Sequence, residues 1–488
     1  MPRTRGVDRL GAAAGAGRGE GAGRGQGGPR LDGVARANGA SRAASVASPA
    51  VRGLSPGGAG RLERVEADGP RGRSPTRQNA TVLQRERHQA DFAILVIVVA
   101  LTAIGILMVY SSSAMKAYIA TDDTLSTVGP QIAWAGLGLI AMFAMMKIDY
   151  RYLRFVSVAM YVAALILLIL VFVPSINVVV GGSARWLKVG PLPAVHPAEF
   201  AKLAMIVYVA HWAAKRGTRI TSFWGGTIPF LVIVVPVVAL VFKEPDLGTT
   251  MVIGLTGVTM FFLAGGSLIH LAAIGLAALA ALVVVGLRAY QLTRIRTWLD
   301  PWSDPLGAGF HTIQGLLALG LGGILGAGLG ESRLAGGLFL PNASNDYIFA
   351  IIGEEFGLIG AGVVIVLFVA LAYSGIRVSL AAPDTFGALL AAGITAWLCI
   401  QAFINIGVVV ALIPVTGITL PFISAGGSSL TISLAAVGIL LSVSRETVER
   451  GTWNDAAADR RGRDGRAYLP GTRRGTVAPR ATRPTERA

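Results

Sequence analysis

The chain has 488 residues, 53% of them hydrophobic and only 14% charged, with a formal net charge of +16. Soluble proteins carry about 25% charged residues, so this composition excludes an ordinary soluble enzyme and points to a protein that crosses a membrane several times. Its one cysteine, Cys399, excludes an intrachain disulfide.

Residues 1–90 are rich in Gly, Ala, Arg, Ser and Pro, with sixteen Arg against seven acidic residues. They contain no apolar run of the signal-peptide kind and read as a disordered basic tail beside an anionic membrane face. The far end, from Arg445, carries eleven Arg against six acidic residues, and 446–488 reads as a second such tail. Neither interleaves aromatic residues with its charge, so no nucleic-acid partner is expected.

Between the tails, 91–445 reads as one membrane domain of ten helical spans. They lie near 92–110, 128–146, 155–174, 198–213, 227–242, 247–265, 268–287, 347–373, 387–407 and 429–444. The basic loops "KIDYRYLR" (147–154) and "KRGTR" (215–219) alternate with loops poor in net positive charge. By the positive-inside rule both tails then face the cytoplasm. Three outer stretches, 175–197, 288–346 and 408–428, are too long to be mere connectors, and such loops are usually functional. The largest lies between spans seven and eight. Within it, "LLALGLGGILGAGLG" (316–330) is too short and Gly-rich for a span and reads as re-entrant or surface-lying.

Ionisable groups in or beside spans mark function by default. In "GGSARWLKVG" (181–190), Arg185 and Lys188 lie outside against the positive-inside trend, which suggests an anionic partner. In "HPAEFAKL" (196–203), Glu199 and Lys202 share a helical face at i,i+3 and can pair. In "KEPDLGT" (243–249), Glu244 and Asp246 flank Pro245, and Asp246 also suits a helix N-cap.

The stretch "LRAYQLTRIRTWLDPWSDPLGAGFHTIQ" (287–314) holds Arg288, Arg294 and Arg296, then Asp300 and Asp304 in a Pro/Gly-rich turn. A helix would splay Arg294 and Arg296, whereas an irregular turn would converge them on one ligand. Cations just outside a bilayer suit a lipid-linked phosphate or pyrophosphate, with snorkelling to headgroups as the alternative. In "LPNASNDYIFAIIGEEFG" (340–357), Asp346 sits at a helix start, while Glu354 and Glu355 lie inside an apolar helix where capping does not account for them.

Nucleotide-loop, zincin, CxxC, GxSxG and EF-hand patterns are absent, and the five histidines show no metal-ligand spacing. What remains is a set of carboxylates and cations at one membrane surface. Such a set can take a proton from a hydroxyl while cations stabilise a leaving phosphate. That describes glycosyl or phosphoryl transfer on a lipid-linked substrate. A transporter flipping a lipid-linked precursor and a scaffold acting through the tails are the rival readings.

The ordered set "LMVYSSS", "GGSARWLKVG", "PAEFAKL", "EPDLGT", "DPWSDPLGAGFHTIQ", "GEEFG" and "LPFISAGGSS" resembles the SEDS family (shape, elongation, division and sporulation) of bacterial membrane proteins. The resemblance implies an all-α polytopic bundle of ten transmembrane helices in the bacterial cell membrane. It implies polymerisation of lipid II onto a growing glycan strand, with a class B penicillin-binding protein as partner and other division proteins nearby. By this resemblance the aspartate before "PLGAG" is the family's essential carboxylate, which makes Asp304 the candidate catalytic residue, as general base or to position the acceptor. Arg185, Lys188, Glu199, Lys202, Glu244, Asp246, Arg294, Arg296 and Asp346 are the candidate substrate-binding residues.

The implied reaction is an inverting attack of lipid II's GlcNAc 4-hydroxyl on C1 of the strand's MurNAc. Undecaprenyl pyrophosphate leaves, helped by Arg185, Lys202, Arg294 or Arg296, with Mg2+ or Mn2+ as a candidate cofactor. The chain departs from the family at His196 and Ala198, at Phe310 and His311, at Asn342 and Ser344, and at Ala425. "LMVYSSS" and the basic tails look more like the family's division members than its elongation members.

Overall fold

The computed structural model describes residues 90–446, apart from 181–182, 189–192, 286–288, 338 and 341–342. The two basic tails, except Ala90 and Glu446, lie outside the described residues, as does Arg288. In chain order the elements are α1 (Phe92–Thr121), α2 (Val128–Lys147), α3 (Leu153–Leu170), β1 (Asn177–Val180), β2 (Ser183–Leu187), α4 (Pro197–Arg216), α5 (Ile228–Lys243) and α6 (Leu247–Leu263). They continue with α7 (Leu268–Val285), α8 (Ala289–Leu299), α9 (Phe310–Gly322), α10 (Arg333–Gly336), α11 (Ile348–Ala381), α12 (Thr385–Val409) and α13 (Gly427–Ser444).

Every segment expected to span carries a helix. Seven of the helical stretches are by themselves long and apolar enough to cross a bilayer, while α6 is apolar but shorter. Helix α4 has the length but also Glu199, Lys202, Lys215 and Arg216. Its tolerance of charge follows from its position, walled by α3, α5, α6, α12 and α13 rather than lipid.

The chain closes on itself through its last helix. Gly138 of α2 faces Leu434 and Thr431 of α13, and Gly438 of α13 faces the Met142 carbonyl. Serines near the end of α13 accept from the starts of earlier elements: Ser444 Oγ from the Asp91 amide at 3.1 Å, Ser442 Oγ from the Tyr150 amide at 3.2 Å. The same end of the bundle gathers Lys147, Arg151, Arg154 and Arg445. Asp384 accepts there from the Tyr150 hydroxyl (2.6 Å) and Arg154 Nη2 (2.6 Å), and it caps α12 through the Gly387 amide (2.9 Å).

The opposite end holds what the composition did not announce. Within 175–197, Asn177–Val180 and Ser183–Leu187 pair as an antiparallel hairpin, with Asn177 opposite Leu187 and Val178 opposite Trp186. Three consecutive valines favour extended backbone there, so among the described residues the helical bundle carries one small sheet.

Helix α11 breaks at Gly357 (φ +64°). The Gly-rich stretch after α9 docks into the break: Ala327 N donates to Glu354 O (2.9 Å) and Leu358 N to Gly323 O (2.9 Å). Residues 316–330 therefore form the end of α9 and a glycine turn bonded to α11, neither a span nor a free loop. Glu354 and Glu355 are explained here too. Glu354 accepts from Ser332 Oγ (2.6 Å) and the Arg333 amide (2.8 Å) at the start of α10, and Glu355 accepts from Ser111 of α1.

Candidate functional site

The N-termini of α4, α6, α11 and α13 open on one cavity of about 140 Å³. Charged and aromatic groups on its wall are Arg185, Trp186, His196, Glu199, Asp246 and Asp346. Pro197 at the first turn starts α4, leaving His196 at the cap position. The His196 ring meets Trp186 edge-on at 5.2 Å, and its Nε2 lies 3.7 Å from Asp246 Oδ2. Asp246 caps α6 as its sequence context suggested, accepting from the Thr249 amide (3.0 Å) and hydroxyl (2.9 Å). Arg185 straps the hairpin to the α5–α6 turn by donating to the carbonyls of Glu244 (Nε, 3.3 Å) and Pro245 (Nη2).

Under the cavity, Glu199 and Lys202 form the expected pair at 2.8 Å. Lys202 also donates to Gln401 Oε1 at 2.7 Å and lies 5.0 Å from the centre of the Trp397 ring. A buried cation with an anion, an amide oxygen and a ring face around it is well compensated. Glu244 is the opposite case. It is 1% exposed and neither carboxyl oxygen has a hydrogen-bond partner. Burial, reinforced by Asp246 and opposed by Arg185, pushes its pKa up to about 8. Burial likewise lifts Asp346 to about 6, against the pull of Arg294, and it lowers the His196 pKa. At neutral pH the site thus sets a protonated Glu244 near a neutral imidazole, and such divergence from ordinary values suits proton transfer.

Of the candidate residues, the structure brings Arg185, Glu199, Asp246 and Asp346 to the cavity wall, with Lys202 and Glu244 packed behind them. Asp346 does not cap α11. That helix starts at Ile348 with Tyr347 at the cap, and the Asp346 carbonyl is held by Asn405 Nδ2 at 2.9 Å. Arg294 reaches the same region, donating to Val415 O at 2.6 Å. Arg296 does not converge with it: α8 is a regular helix, so residues two apart point apart, and Arg296 is exposed. Lys188 is also exposed and does not line the cavity.

Asp304 is exposed on the turn after α8 and does not line the cavity. Its Oδ1 accepts from the Gly307 amide (3.1 Å) and its Oδ2 from the Ala308 amide (2.8 Å). Asp300 accepts from the Trp302 amide at 3.1 Å. Both aspartates stiffen the turn, which presents the Asp304 carboxylate in one fixed orientation.

Sequence reasoning missed His196, Trp186, Gln401 and Asn405. The last two had a readable signal: amides four residues apart inside an apolar span share one helical face. Among the described residues no three His, Cys, Asp or Glu stand close enough to hold a metal ion. A site built from protein ligands alone is therefore not present among the described residues for the Mg2+ or Mn2+ that the resemblance suggested. Asp246 and Asp346 are the carboxylates that would hold such a cation together with substrate phosphate oxygens.

The FtsW/RodA/SpoVE family model, described as "Cell cycle protein", matches residues 92–449. The chain is 45% identical over 356 residues to stage V sporulation protein E of Bacillus subtilis, covering 73% of this chain and 97% of that one. It is 41% identical to a probable peptidoglycan glycosyltransferase FtsW of Geobacter metallireducens (74% and 96% covered). With the protein of that name from Mycobacterium tuberculosis it is 36% identical over 415 residues (85% and 78% covered). Among solved structures it resembles a chain from work titled "Structural coordination of polymerization and crosslinking by a peptidoglycan synthase complex", with TM-score 0.61 and 30% identity, covering 73% of this chain and 98% of that one. It also resembles the RodA crystal structure from Thermus thermophilus, with TM-score 0.55 and 28% identity (74% and 98% covered).

Proposed function

This chain belongs to the FtsW/RodA/SpoVE family of cell cycle proteins, and from that premise we propose that it is a multi-pass membrane peptidoglycan glycosyltransferase. Its substrate is lipid II, which it polymerises into glycan strands with release of undecaprenyl pyrophosphate. One observation carries the reading. Four motif-bearing segments that are distant in sequence bring Arg185, Glu199, Asp246 and Asp346 to one cavity, at the end of the bundle opposite its Lys/Arg-rich end. By the positive-inside rule, that cavity faces away from the cytoplasm and both tails face it.

The acceptor is the GlcNAc 4-hydroxyl of lipid II and the electrophile is C1 of the strand's terminal MurNAc. Asp304, held on its stiff turn, accepts the hydroxyl proton. Arg185, Lys202 and Arg294 offset the charge that develops on the departing pyrophosphate. A class B penicillin-binding protein crosslinks the product, in keeping with the paired activities named for the structural neighbour. Division at the septum is favoured over elongation because FtsW-named relatives reach 41% identity.

The test is strand synthesis from lipid II by the purified protein with its penicillin-binding partner. A general base contributes about 10²–10⁴-fold, so Asp304→Ala and Asp304→Asn both lose strand synthesis by that order. Asn keeps a carbonyl oxygen for the turn but cannot take a proton. Wild-type rates from Asp304→Asn make Asp304 a turn-former and send the search for the base to Asp246 and Asp346. Lipid II movement across liposomes with no strands from wild type supports the transporter instead.

A further inference from the structure

Helix α13 starts at Gly427 with Gly426 at its cap and no side chain bonded to its first turn. The first amides of a helix have no intrahelical acceptor. Those of Gly427, Ser428 and Ser429 find none among the described residues, and Gly426, Ser428 and Ser429 line the cavity. His196, on the same wall, is 9% exposed and its Nδ1 is buried with no partner. Arg185 spends Nε and Nη2 on the Glu244 and Pro245 carbonyls, and its Nη1 donates to no protein group among the described residues.

Uncommitted helix amides, a guanidinium and a buried imidazole nitrogen suit an anion with several oxygens. We propose that the N-terminus of α13, with Arg185 and His196, seats the diphosphate of the polyprenyl-linked substrate. This rests on the glycosyltransferase reading and adds to it a set of backbone donors that a search for Lys and Arg does not find. The carboxylates around the cavity are already engaged. Asp246 is bonded to Thr249, Glu199 to Lys202, and Asp346 feels the charge of Arg294. Asp246 also stands 3.7 Å from His196 Nε2, so a proton drawn onto the ring by a bound anion is shared with a carboxylate.

Gly426 offers a clean test. Its φ of −179° is extended backbone open to any residue. A Cβ there meets only Ser429 Cβ at 3.6 Å and Thr419 Cγ2 at 3.7 Å, which is ordinary contact. Asp is a favoured N-cap, so Gly426→Asp caps α13 with its own carboxylate and fills the seat.

The measurement is binding of inorganic pyrophosphate and of undecaprenyl pyrophosphate to the full chain in detergent, with thermal unfolding recorded alongside. Wild type binds both, and each displaces the other. Gly426→Asp binds both at least about tenfold more weakly without a lower melting temperature, and Gly426→Asn, of the same shape without charge, loses less. Arg185→Gln weakens both as well, which keeps the proposal testable if the Asp variant does not fold. Binding to Gly426→Asp within about twofold of wild type overturns the proposal. So does wild type that binds inorganic pyrophosphate but not the lipid-linked form, or neither. No arm needs strand synthesis: protein that binds without polymerising counts against the glycosyltransferase reading, and protein that polymerises without binding counts against the seat alone.

Discussion

A buried carboxyl with neither oxygen bonded, as at Glu244, is most stable while it keeps its proton. Its folded pKa, about 8, stands above the ordinary 4.5. Between those values the folded chain holds a proton that the unfolded chain has released, so stability falls as pH rises through that window. Glu244→Gln removes this slope: its melting temperature exceeds that of wild type at pH 9 and matches it near pH 4, as thermal unfolding across pH will show. The pairing of Glu199 with Lys202 and the capping by Asp246 were legible because both follow from spacing along one chain. His196 and Trp186 were not, since the ring contact between them joins a strand to a helix cap through packing that no local pattern encodes.

At the scale of elements, each apolar run carries a helix, and seven of these helices are long and apolar enough to cross a membrane, because apolar length is the dominant signal in lipid. Composition left α8 open between a helix and an irregular turn. The polar stretch Ala289–Leu299 is a regular helix, which satisfies its backbone locally and splays Arg294 from Arg296. The pairing of 177–180 with 183–187 was missed inside a stretch read as an outer loop, because runs of four and five residues without apolar alternation carry too little period to mark a strand. The break in α11 is a feature of glycine. Gly357 adopts φ +64°, and a Cβ there collides with the Ile324 carbonyl and the Gly326 amide. Gly357→Ala therefore destabilises the protein by at least about 2 kcal/mol, measured by chemical or thermal unfolding in detergent. It also loosens the α9–α11 turn that leads to α10.

Across the whole molecule the two ends of the bundle have opposite duties. One end gathers the open first turn of α13 and several buried carboxyls around a cavity. The other is bolted by complementary charge, with Asp384 joining α12 to Tyr150 and Arg154 at the start of α3. Asp384→Ala leaves those donors and the α12 amide without their acceptor and costs about 1–3 kcal/mol. The loss is read as a lower melting temperature with pyrophosphate affinity unchanged, because the cavity lies at the far end. The seam between α2 and α13 has a consequence for how the protein is made. Trp134 of α2 and Thr431 of α13, which bond across it, are 297 positions apart. At about 5–20 residues per second of synthesis, the glycine face of α2 waits roughly 15–60 s in the membrane before α13 arrives to cover it. During that interval lipid or the insertion machinery must occupy the groove. The nascent chain, rather than the finished bundle, is therefore the form most open to mispairing and to membrane proteases.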